Sequence, residues 1–209
     1  MIEILQLPLG PLQTNCYLVA CKETMEAAVI DPSWDGRRIA DLASERGYVI
    51  THILLTHTHF DHVGGLAELA EETNAPIYSH PDALTMLANA PQAAANFNLT
   101  LPTPPTASEM LAEGDVVEVG NLKFEVLFTP GHAPGHLSFY VREHEVVFDG
   151  DVLFQRSIGR TDFPGCDHPT LMKNIREKLL VLPDETAVLS GHGPATTIGQ
   201  EKQWNPFLQ

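Results

Sequence analysis

Three histidines and one aspartate lie close together in the segment His57-Thr58-His59-Phe60-Asp61-His62. Imidazole nitrogens and carboxylate oxygens are common ligands of Zn²⁺ and of other first-row divalent cations. Four such groups in so short a segment crowd a single metal ion. They suit two neighbouring ions better, with His57 and His59 on one and Asp61 and His62 on the other. The segment therefore predicts a site for two divalent cations.

Two cations need further ligands, and three candidates lie beside glycines. His132 ends Thr129-Pro130-Gly131-His132, Asp151 follows Asp149-Gly150, and His192 lies between Gly191 and Gly193. Each follows an apolar segment that predicts a strand, and glycine lets the backbone turn sharply there. A lone histidine beside glycine is usually a turn residue, but the cluster at 57–62 needs partners and so favours the ligand interpretation. We expect Asp151 to bridge the two cations.

The other histidines, acidic groups and cysteines carry weaker signals. His136 is interpreted as a support for the ligands or as a structural residue. Asp31 and Asp149 are either hydrogen-bond acceptors for ligand histidines, which usually need such partners, or turn caps. No C-x-x-C spacing occurs, so a thiol nucleophile is not expected. The residues interpreted as ordinary are His52, His80, His144 and His168, and the cysteines are Cys16, Cys21 and Cys166.

Hydrophobic patterns predict the elements that position these side chains. Residues 48–56 are almost continuously apolar, which predicts a strand buried on both faces just before the cluster. The order of strands and single helices favours an α+β fold, with two mixed sheets packed face to face and helices outside. Strands are predicted at 2–9, 15–20, 26–30, 48–56, 76–79, 116–119, 122–128, 137–142, 145–149 and 186–190, and helices at 35–46, 64–72, 81–90 and 168–182.

Residues 91–108 have no clear period and are rich in Ala, Asn, Thr and Pro. This composition predicts a long surface loop, which is either a lid over a site or a tolerated insertion.

Composition narrows the class of protein. The 209 residues favour one domain, and 27 acidic against 12 basic residues give a formal net charge of −15. This charge disfavours nucleic acid as a partner, because such binding depends on Lys and Arg. No apolar run is long enough to cross a membrane, and no basic residue precedes Lys22, so neither a membrane anchor nor a signal peptide is expected. Because three cysteines cannot all pair in internal disulfides, we also expect a reduced chain, and these features together predict a cytoplasmic location.

The H-x-H-x-D-H motif at 57–62, followed in order by His132, Asp151 and His192, resembles the metallo-β-lactamase superfamily over nearly the whole chain. The resemblance implies a four-layer αβ/βα sandwich with a metal site at one edge. It also implies the ligand sets. One cation takes His57, His59, His132 and Asp151, and the other takes Asp61, His62, Asp151 and His192.

Within the superfamily, residues 150–154 and 159–163 resemble the glyoxalase II group, the hydroxyacylglutathione hydrolases, and the related persulfide dioxygenases. The Asn-Pro-Phe-Leu segment at 205–208 resembles the end of short bacterial hydrolases of the glyoxalase II group. Classical members carry a C-terminal helical domain that binds glutathione. Only a short segment follows His192 here, so a single domain without that helical part is expected. Arg160 stands roughly where classical members carry a lysine that contacts glutathione.

The resemblance implies a binuclear thioester hydrolase acting on S-lactoylglutathione or a related hydroxyacyl thioester. Zinc is the expected metal, with iron or manganese as alternatives, and a hydroxide bridging the cations would be the nucleophile. Asp61 and Asp151 are the expected catalytic residues. A thiolate leaving group has a pKa of about 8.5 and needs no general acid. Arg160, and less so Arg156, would pair with a substrate carboxylate.

Other functions remain open. One is a persulfide dioxygenase with a single iron bound by His57, His132 and Asp151, since two histidines and one carboxylate form a facial triad. Another is a different metal-dependent hydrolase of this fold, such as a nuclease or a β-lactam hydrolase. A further one is a metal-binding module without catalysis. The sequence does not fix the oligomeric state.

Overall fold

The computed structural model describes residues 1–209. One six-stranded sheet is formed by the N-terminal half of the chain, with its strands hydrogen-bonded in sequence order. The first three strands are antiparallel, and the pairs from the third strand onward are parallel. The strands are β1 (Ile2–Leu9), β2 (Thr14–Cys21), β3 (Glu26–Ile30), β4 (Val49–Leu54), β5 (Ile77–Ser79) and β6 (Glu109–Met110).

A second six-stranded sheet is formed by the C-terminal half. Its strands are β7 (Val116–Val119), β8 (Leu122–Phe128), β9 (Leu137–Val141), β10 (Val146–Gly150), β13 (Ala187–Ser190) and β14 (Thr196–Thr197), and a separate hairpin contains β11 (Leu153–Phe154) and β12 (Ser157–Ile158). The order across the sheet is β14-β13-β10-β9-β8-β7. Only β10 and β13 are parallel, because the chain crosses over between them.

Helices cover the outer face of each sheet. On the first sheet lie α1 (Gly36–Glu45), α2 (Leu66–Thr73) and α3 (Leu84–Ala95), and on the second lie α4 (His168–Asn174), a π-helical turn (Ile175–Leu179) and α5 (Ile198–Trp204). Three apolar clusters separate the four layers: helices against the first sheet, sheet against sheet, and the second sheet against its helices. The predicted fold class is confirmed.

The layer between the sheets contains four buried aromatic rings, those of Tyr17, Phe124, Phe139 and Phe148. Tyr17 of the first sheet meets Phe148 of the second edge-on, with ring centroids 5.2 Å apart. In β4, Ile53 packs against the helices and Leu54 packs between the sheets. The strand predicted at 48–56 is therefore buried on both faces only in its second half, because Val49 at its start is 62% exposed.

The surface loop predicted at 91–108 begins later than expected, because residues 91–95 belong to α3, and residues 96–108 contain no helix or strand. Helix α3 continues through Pro91 to Ala95, because Ala90 and Ala94 bury the same face as Leu87. Beyond it, Leu101 and Ala107 are buried in the core under the helices, so this segment is packed rather than a free lid. The helix predicted at 168–182 divides into α4 and the π-helical turn, and the short elements β6, β11, β12, β14 and α5 were not predicted.

No helix is both long enough and apolar enough to cross a membrane.

Candidate metal centre

The predicted ligands lie where strands end, at one edge of the sandwich. The segment 57–62 follows β4 of the first sheet. His132 follows β8, Asp151 follows β10, and His192 follows β13, all in the second sheet. The short polar segments after these strands therefore meet across the gap between the two sheets.

Hydrogen bonds between the sheets fix the loop that carries His192. Asn15 of β2 donates its backbone N–H to Gly191 O (2.7 Å) and its side-chain amide to Ser190 O (2.9 Å). The Tyr17 hydroxyl also donates to Ser190 O at 2.7 Å. The end of β13 is thus held against the first sheet, which carries the 57–62 segment.

One cluster contains three imidazoles. His57 Nε2 and His132 Nε2 each lie 3.0 Å from His59 Nδ1. A single proton on His59 Nδ1 can serve only one of the other two nitrogens, so when both are unprotonated at least one lone pair is left without a donor. A cation placed among the three nitrogens would accept their lone pairs. The three histidines form one of the candidate metal-binding groups.

A second candidate group contains Asp61, His62 and His192. Asp61 Oδ2 lies 3.2 Å from His192 Nε2 and 3.8 Å from His62 Nε2. The same oxygen accepts a hydrogen bond from Thr14 Oγ1 at 2.8 Å, which holds the carboxylate toward the histidines.

Asp151 lies between the two groups. Its Oδ2 is 3.5 Å from His132 Nε2 in the first cluster and 3.7 Å from His192 Nε2 in the second. Its Oδ1 is 3.5 Å from His62 Nε2. The structure therefore brings together all seven predicted ligands, with one carboxylate in the position of a bridge.

Two features of this site suit a cation. His62 Nε2 and Asp151 Oδ1 are buried polar atoms without a hydrogen-bond partner, and such atoms are costly unless something pairs with them. The space beside them is kept open by Gly191, where an added Cβ would lie 2.3 Å from Asp151 Oδ1 and 2.5 Å from His62 Cε1. The donor set of imidazole nitrogens and carboxylates is the one that Zn²⁺ and other first-row divalent cations bind.

Outer partners orient the imidazoles. His62 Nδ1 donates to Asp31 Oδ2 (2.9 Å), and His132 Nδ1 donates to the backbone oxygen of Arg160 (2.9 Å). The Thr56 hydroxyl donates to Asp31 Oδ2 (2.6 Å) and so accepts from His57 Nδ1 (3.1 Å). In all three histidines the outer nitrogen is the donor, which leaves Nε2 directed into the site.

The two buried aspartates near the site differ in role. Asp31 is a partner of His62, as one of the two sequence interpretations proposed. Asp149 Oδ2 instead accepts from the backbone N–H of Leu153 at 2.8 Å, so it stabilises the turn after β10. Burial raises the pKa of Asp149 well above its usual range.

Electrostatics divide the centre into two halves. Burial, together with neighbouring imidazoles, lowers the pKa of His57 well below its usual value and that of His59 to about 4. These two are therefore neutral at pH 7 and keep their lone pairs. Burial opposes ionisation of Asp61, but His62 and His192 outweigh it and lower the pKa of Asp61 to about 2. Burial likewise disfavours charged His62, yet the carboxylates of Asp151 and Asp61 raise its pKa.

Arg160 and Phe163 lie at the mouth of the centre. The Phe163 ring meets His59 edge-on, with centroids 6.4 Å apart, and the Arg160 guanidinium stacks 3.8 Å above that ring. Arg160 also forms a two-pronged ion pair with Asp162, at 2.7 Å for both contacts. Arg156, by contrast, stacks on Trp204 at 5.7 Å near the C-terminus.

Sequence reasoning missed several supporting residues. Thr14, Thr56 and the backbone of Arg160 hold ligands, and the Cys166 thiol donates to His132 O at 2.8 Å. Hydroxyls, thiols and backbone oxygens are too common for their type to signal such roles. None of the histidines interpreted as ordinary, at positions 52, 80, 144 and 168, belongs to a candidate metal-binding group.

The family model of the metallo-beta-lactamase superfamily matches residues 9–192. The chain belongs to this superfamily. The matched residues include β4, β8, β10 and β13, the four strands that lead directly to the candidate ligands. Every histidine and aspartate described above also lies within the match.

Two full-length relatives in the superfamily carry hydrolase names. The probable metallo-hydrolase YqgX of Bacillus subtilis is 41% identical over 204 residues, covering 97% of this chain and 96% of its own length. The hydroxyacylglutathione hydrolase GloC of Haemophilus influenzae is 40% identical over 214 residues, covering 99% and 97%. These relatives and the candidate metal-binding groups support a metal-dependent hydrolase of the superfamily.

Solved structures in the superfamily share the fold at full length. The BLEG-1 B3 metallo-beta-lactamase superposes with a TM-score of 0.92 at 40% identity, covering all of both chains. TTHA1623, determined in a di-iron-bound form, gives 0.90 at 44% identity, covering 98% of this chain and 100% of that one. ETHE1 from Myxococcus xanthus gives 0.83 at 31% identity, covering 98% and 83%.

Proposed function

We propose that this chain hydrolyses thioesters at two divalent cations, with S-lactoylglutathione or a related hydroxyacyl thioester as substrate. The observation that carries the proposal is the position of Asp151 between two separate groups of ligand atoms. Zinc is the expected metal, and iron or manganese are alternatives. The 40% identity with a hydroxyacylglutathione hydrolase supports the substrate class.

The proposed ligands follow from which atoms face the site. His57 Nε2, His59 Nδ1 and His132 Nε2 hold one cation, and Asp61, His62 Nε2 and His192 Nε2 hold the other, with Asp151 shared. When bound, two such cations supply an activated water at neutral pH and polarise the substrate carbonyl. Asp61 and Asp151 are the expected catalytic carboxylates, because they are the two ionised groups among the proposed ligands.

The site suits a thioester better than an amide. A thiol leaves as a thiolate with a pKa of about 8.5, so no protein group has to donate a proton to it. The carboxylates of Asp61 and Asp151 have lowered pKa values and stay ionised, so neither is an acid at pH 7. Asp149, whose pKa is raised by burial, is fully buried and directed toward the backbone of Leu153, so it does not reach the site.

Arg160 is the proposed contact for a carboxylate of the substrate. Its pair with Asp162 uses Nε and one terminal nitrogen, and a guanidinium has five N–H donors. The remaining donors lie at the mouth of the centre beside Phe163 and His59. The Phe163 ring offers an apolar surface against which the substrate's carbon chain would pack.

The second candidate is a dioxygenase that acts on a glutathione persulfide at a single iron, since two histidines and one carboxylate form a facial triad. Its ligands would be His57, His132 and Asp151, and the second group of ligands would then have no function. The presence of Asp61, His62 and His192 around one more position favours the binuclear hydrolase.

The test is turnover of S-lactoylglutathione by purified, zinc-loaded protein, with released thiol and dissolved oxygen followed in parallel. We expect thiol release without oxygen consumption. Oxygen uptake with glutathione persulfide and no thioester turnover would establish the dioxygenase instead. Turnover of a β-lactam but not of the thioester would contradict the substrate class alone.

The role of Arg160 is tested by Arg160→Ala, with Arg142→Ala as a matched control. Arg142 forms the same two-pronged pair with Glu125, and its guanidinium lies 5.1 Å from the Tyr140 ring. It follows the end of β9 that is away from the candidate metal centre. Because loss of one charge-assisted contact costs about 1.5–3 kcal/mol, Arg160→Ala should raise KM about 10- to 100-fold and change kcat little. An unchanged KM would remove Arg160 from the substrate site.

A further inference from the structure

His136 is a buried histidine outside the proposed ligand set that contacts three ligand-bearing segments. Its ring stacks on that of His57, with centroids 4.9 Å apart and an interplanar angle of 21°. Its Nε2 accepts a hydrogen bond from the backbone N–H of Asp151 at 3.2 Å. Its backbone oxygen accepts from the N–H of Thr129, closing the loop that carries His132.

These contacts permit one arrangement of protons on the ring. An amide N–H is always a donor, so Nε2, which accepts from Asp151, carries no proton. The proton is therefore on Nδ1, which donates to Thr129 Oγ1 at 3.1 Å. Thr129 Oγ1 forms a further hydrogen bond with Ser138 Oγ at 2.9 Å, in which either hydroxyl can be the donor. His136, Thr129 and Ser138 are fully buried, so water does not compete for these bonds.

The backbone before Asp151 is shaped around His136. Gly150 has φ of 54°, in the left-handed region that favours glycine. A Cβ at Gly150 would lie 2.8 Å from His136 Nε2 and 2.5 Å from Thr56 Oγ1. The turn that directs Asp151 into the centre thus depends on close approach of the backbone to the His136 ring.

We propose that His136 is a positioning residue for the metal centre: its Nε2 acceptor fixes the backbone of Asp151, and its ring fixes the plane of His57. The inference rests on the metal centre proposed above. It assigns to one side chain the alignment of the shared carboxylate with a ligand from the other sheet.

Two amide substitutions separate this role from simple packing. In His136→Gln the side-chain oxygen reaches the position of Nε2 and can still accept from Asp151 N–H. In His136→Asn the amide reaches only the position of Nδ1, so the bond to Thr129 is kept and the bond to Asp151 is lost. The measurement is the affinity for Zn²⁺ in competition with a chromophoric chelator, with the thermal unfolding of the metal-free protein recorded for each variant.

Both variants lose the ring that stacks on His57, so the difference between them reports the acceptor to Asp151 alone. We expect His136→Asn to bind Zn²⁺ roughly 10- to 100-fold more weakly than His136→Gln, the usual cost of losing an outer partner. Equal Zn²⁺ affinity in both variants, whether retained or lost, would overturn the proposal. If the unsubstituted protein binds no Zn²⁺, the proposed function fails as well, whereas unaltered binding in the variants removes only the role of His136.

A second pair of variants covers the case in which His136→Asn does not fold. Thr129→Val removes the acceptor of Nδ1–H and releases the ring to rotate, while Ser138→Ala removes only the partner of Thr129. We expect weaker Zn²⁺ binding in Thr129→Val than in Ser138→Ala. Identical affinities would contradict the proposal.

Discussion

At the scale of single residues, the position of the proton on each imidazole determines which of its nitrogens faces the centre. His57, His62 and His132 each donate Nδ1–H to an outer acceptor, so each directs Nε2 inward. Residue type and spacing predicted the candidate ligands, because three imidazoles and a carboxylate within residues 57–62 stand out from the rest of the chain. The outer acceptors could not be predicted, because a threonine hydroxyl or a backbone oxygen has no distinctive sequence signal.

Asp31 gives a direct test of outer support. Asp31→Asn keeps a side chain that tolerates the left-handed backbone at φ 50°, but replaces one accepting oxygen by a donor. Where the new amide nitrogen takes the place of Oδ2, both His62 Nδ1 and the Thr56 hydroxyl lose their acceptor, and where it takes the place of Oδ1, the Thr56 backbone N–H loses it. We expect roughly 10- to 100-fold weaker metal affinity with a matching loss of turnover, measured by chelator competition and thioester hydrolysis.

The control is Asp35→Asn, since Asp35 has φ of 48° and its side chain makes no capping hydrogen bond. Metal affinity should not change there. If both variants lose metal equally, the effect belongs to the backbone and not to the contact with His62.

Cys166 provides a test in which the substitution should leave turnover almost unchanged. Its thiol donates to His132 O, and burial raises the pKa of the thiol, so it stays protonated at pH 7 and is a poor nucleophile. Because serine is also a donor, Cys166→Ser should change kcat by less than about twofold. A large loss of turnover with normal metal content would point to thiol chemistry.

At the scale of elements, the ends of β4, β8, β10 and β13 bring the ligands together. The sequence predicted these strands because each is a run of apolar residues between turn signals. It did not predict β11, β12 or β14, which have only two residues each and so carry no periodicity. The sequence predicted that helix α3 ends before Pro91, whereas it continues to Ala95. The burial of Ala94 favours this continuation, and because that burial depends on tertiary packing, the sequence did not predict it.

Gly191, at the end of β13, tests whether the space between strand ends matters. In Gly191→Ala the new methyl group would meet Asp151 and His62 inside the centre. We expect the chain to fold with a stability loss of about 1–3 kcal/mol from overpacking, and to bind metal much more weakly. Thermal unfolding and metal-to-protein ratio measure the two effects.

Gly199→Ala at the start of α5 is the matched glycine substitution away from the site. It should leave the metal-to-protein ratio unchanged. A normal ratio in Gly191→Ala would show that the space beside Asp151 is not where a cation binds.

At the scale of the whole molecule, each sheet contributes half of the centre. The first sheet carries His57, His59, Asp61 and His62, and the second carries His132, Asp151 and His192. The order of elements was enough to predict two facing sheets. The distances across the gap could not be predicted, because they depend on bonds such as those of Asn15 and Tyr17 to the end of β13. The net charge of −15 predicts nothing about the site, where buried neutral imidazoles and ionised carboxylates determine the local field.

The central claim is that two cations share Asp151, and anomalous diffraction from crystals of the zinc-loaded protein tests it most directly. We predict two peaks beside Asp151, at about 2.0–2.2 Å from their ligand atoms. One should contact His57, His59 and His132, and the other Asp61, His62 and His192. A single peak, or two peaks that do not both contact Asp151, would contradict the account.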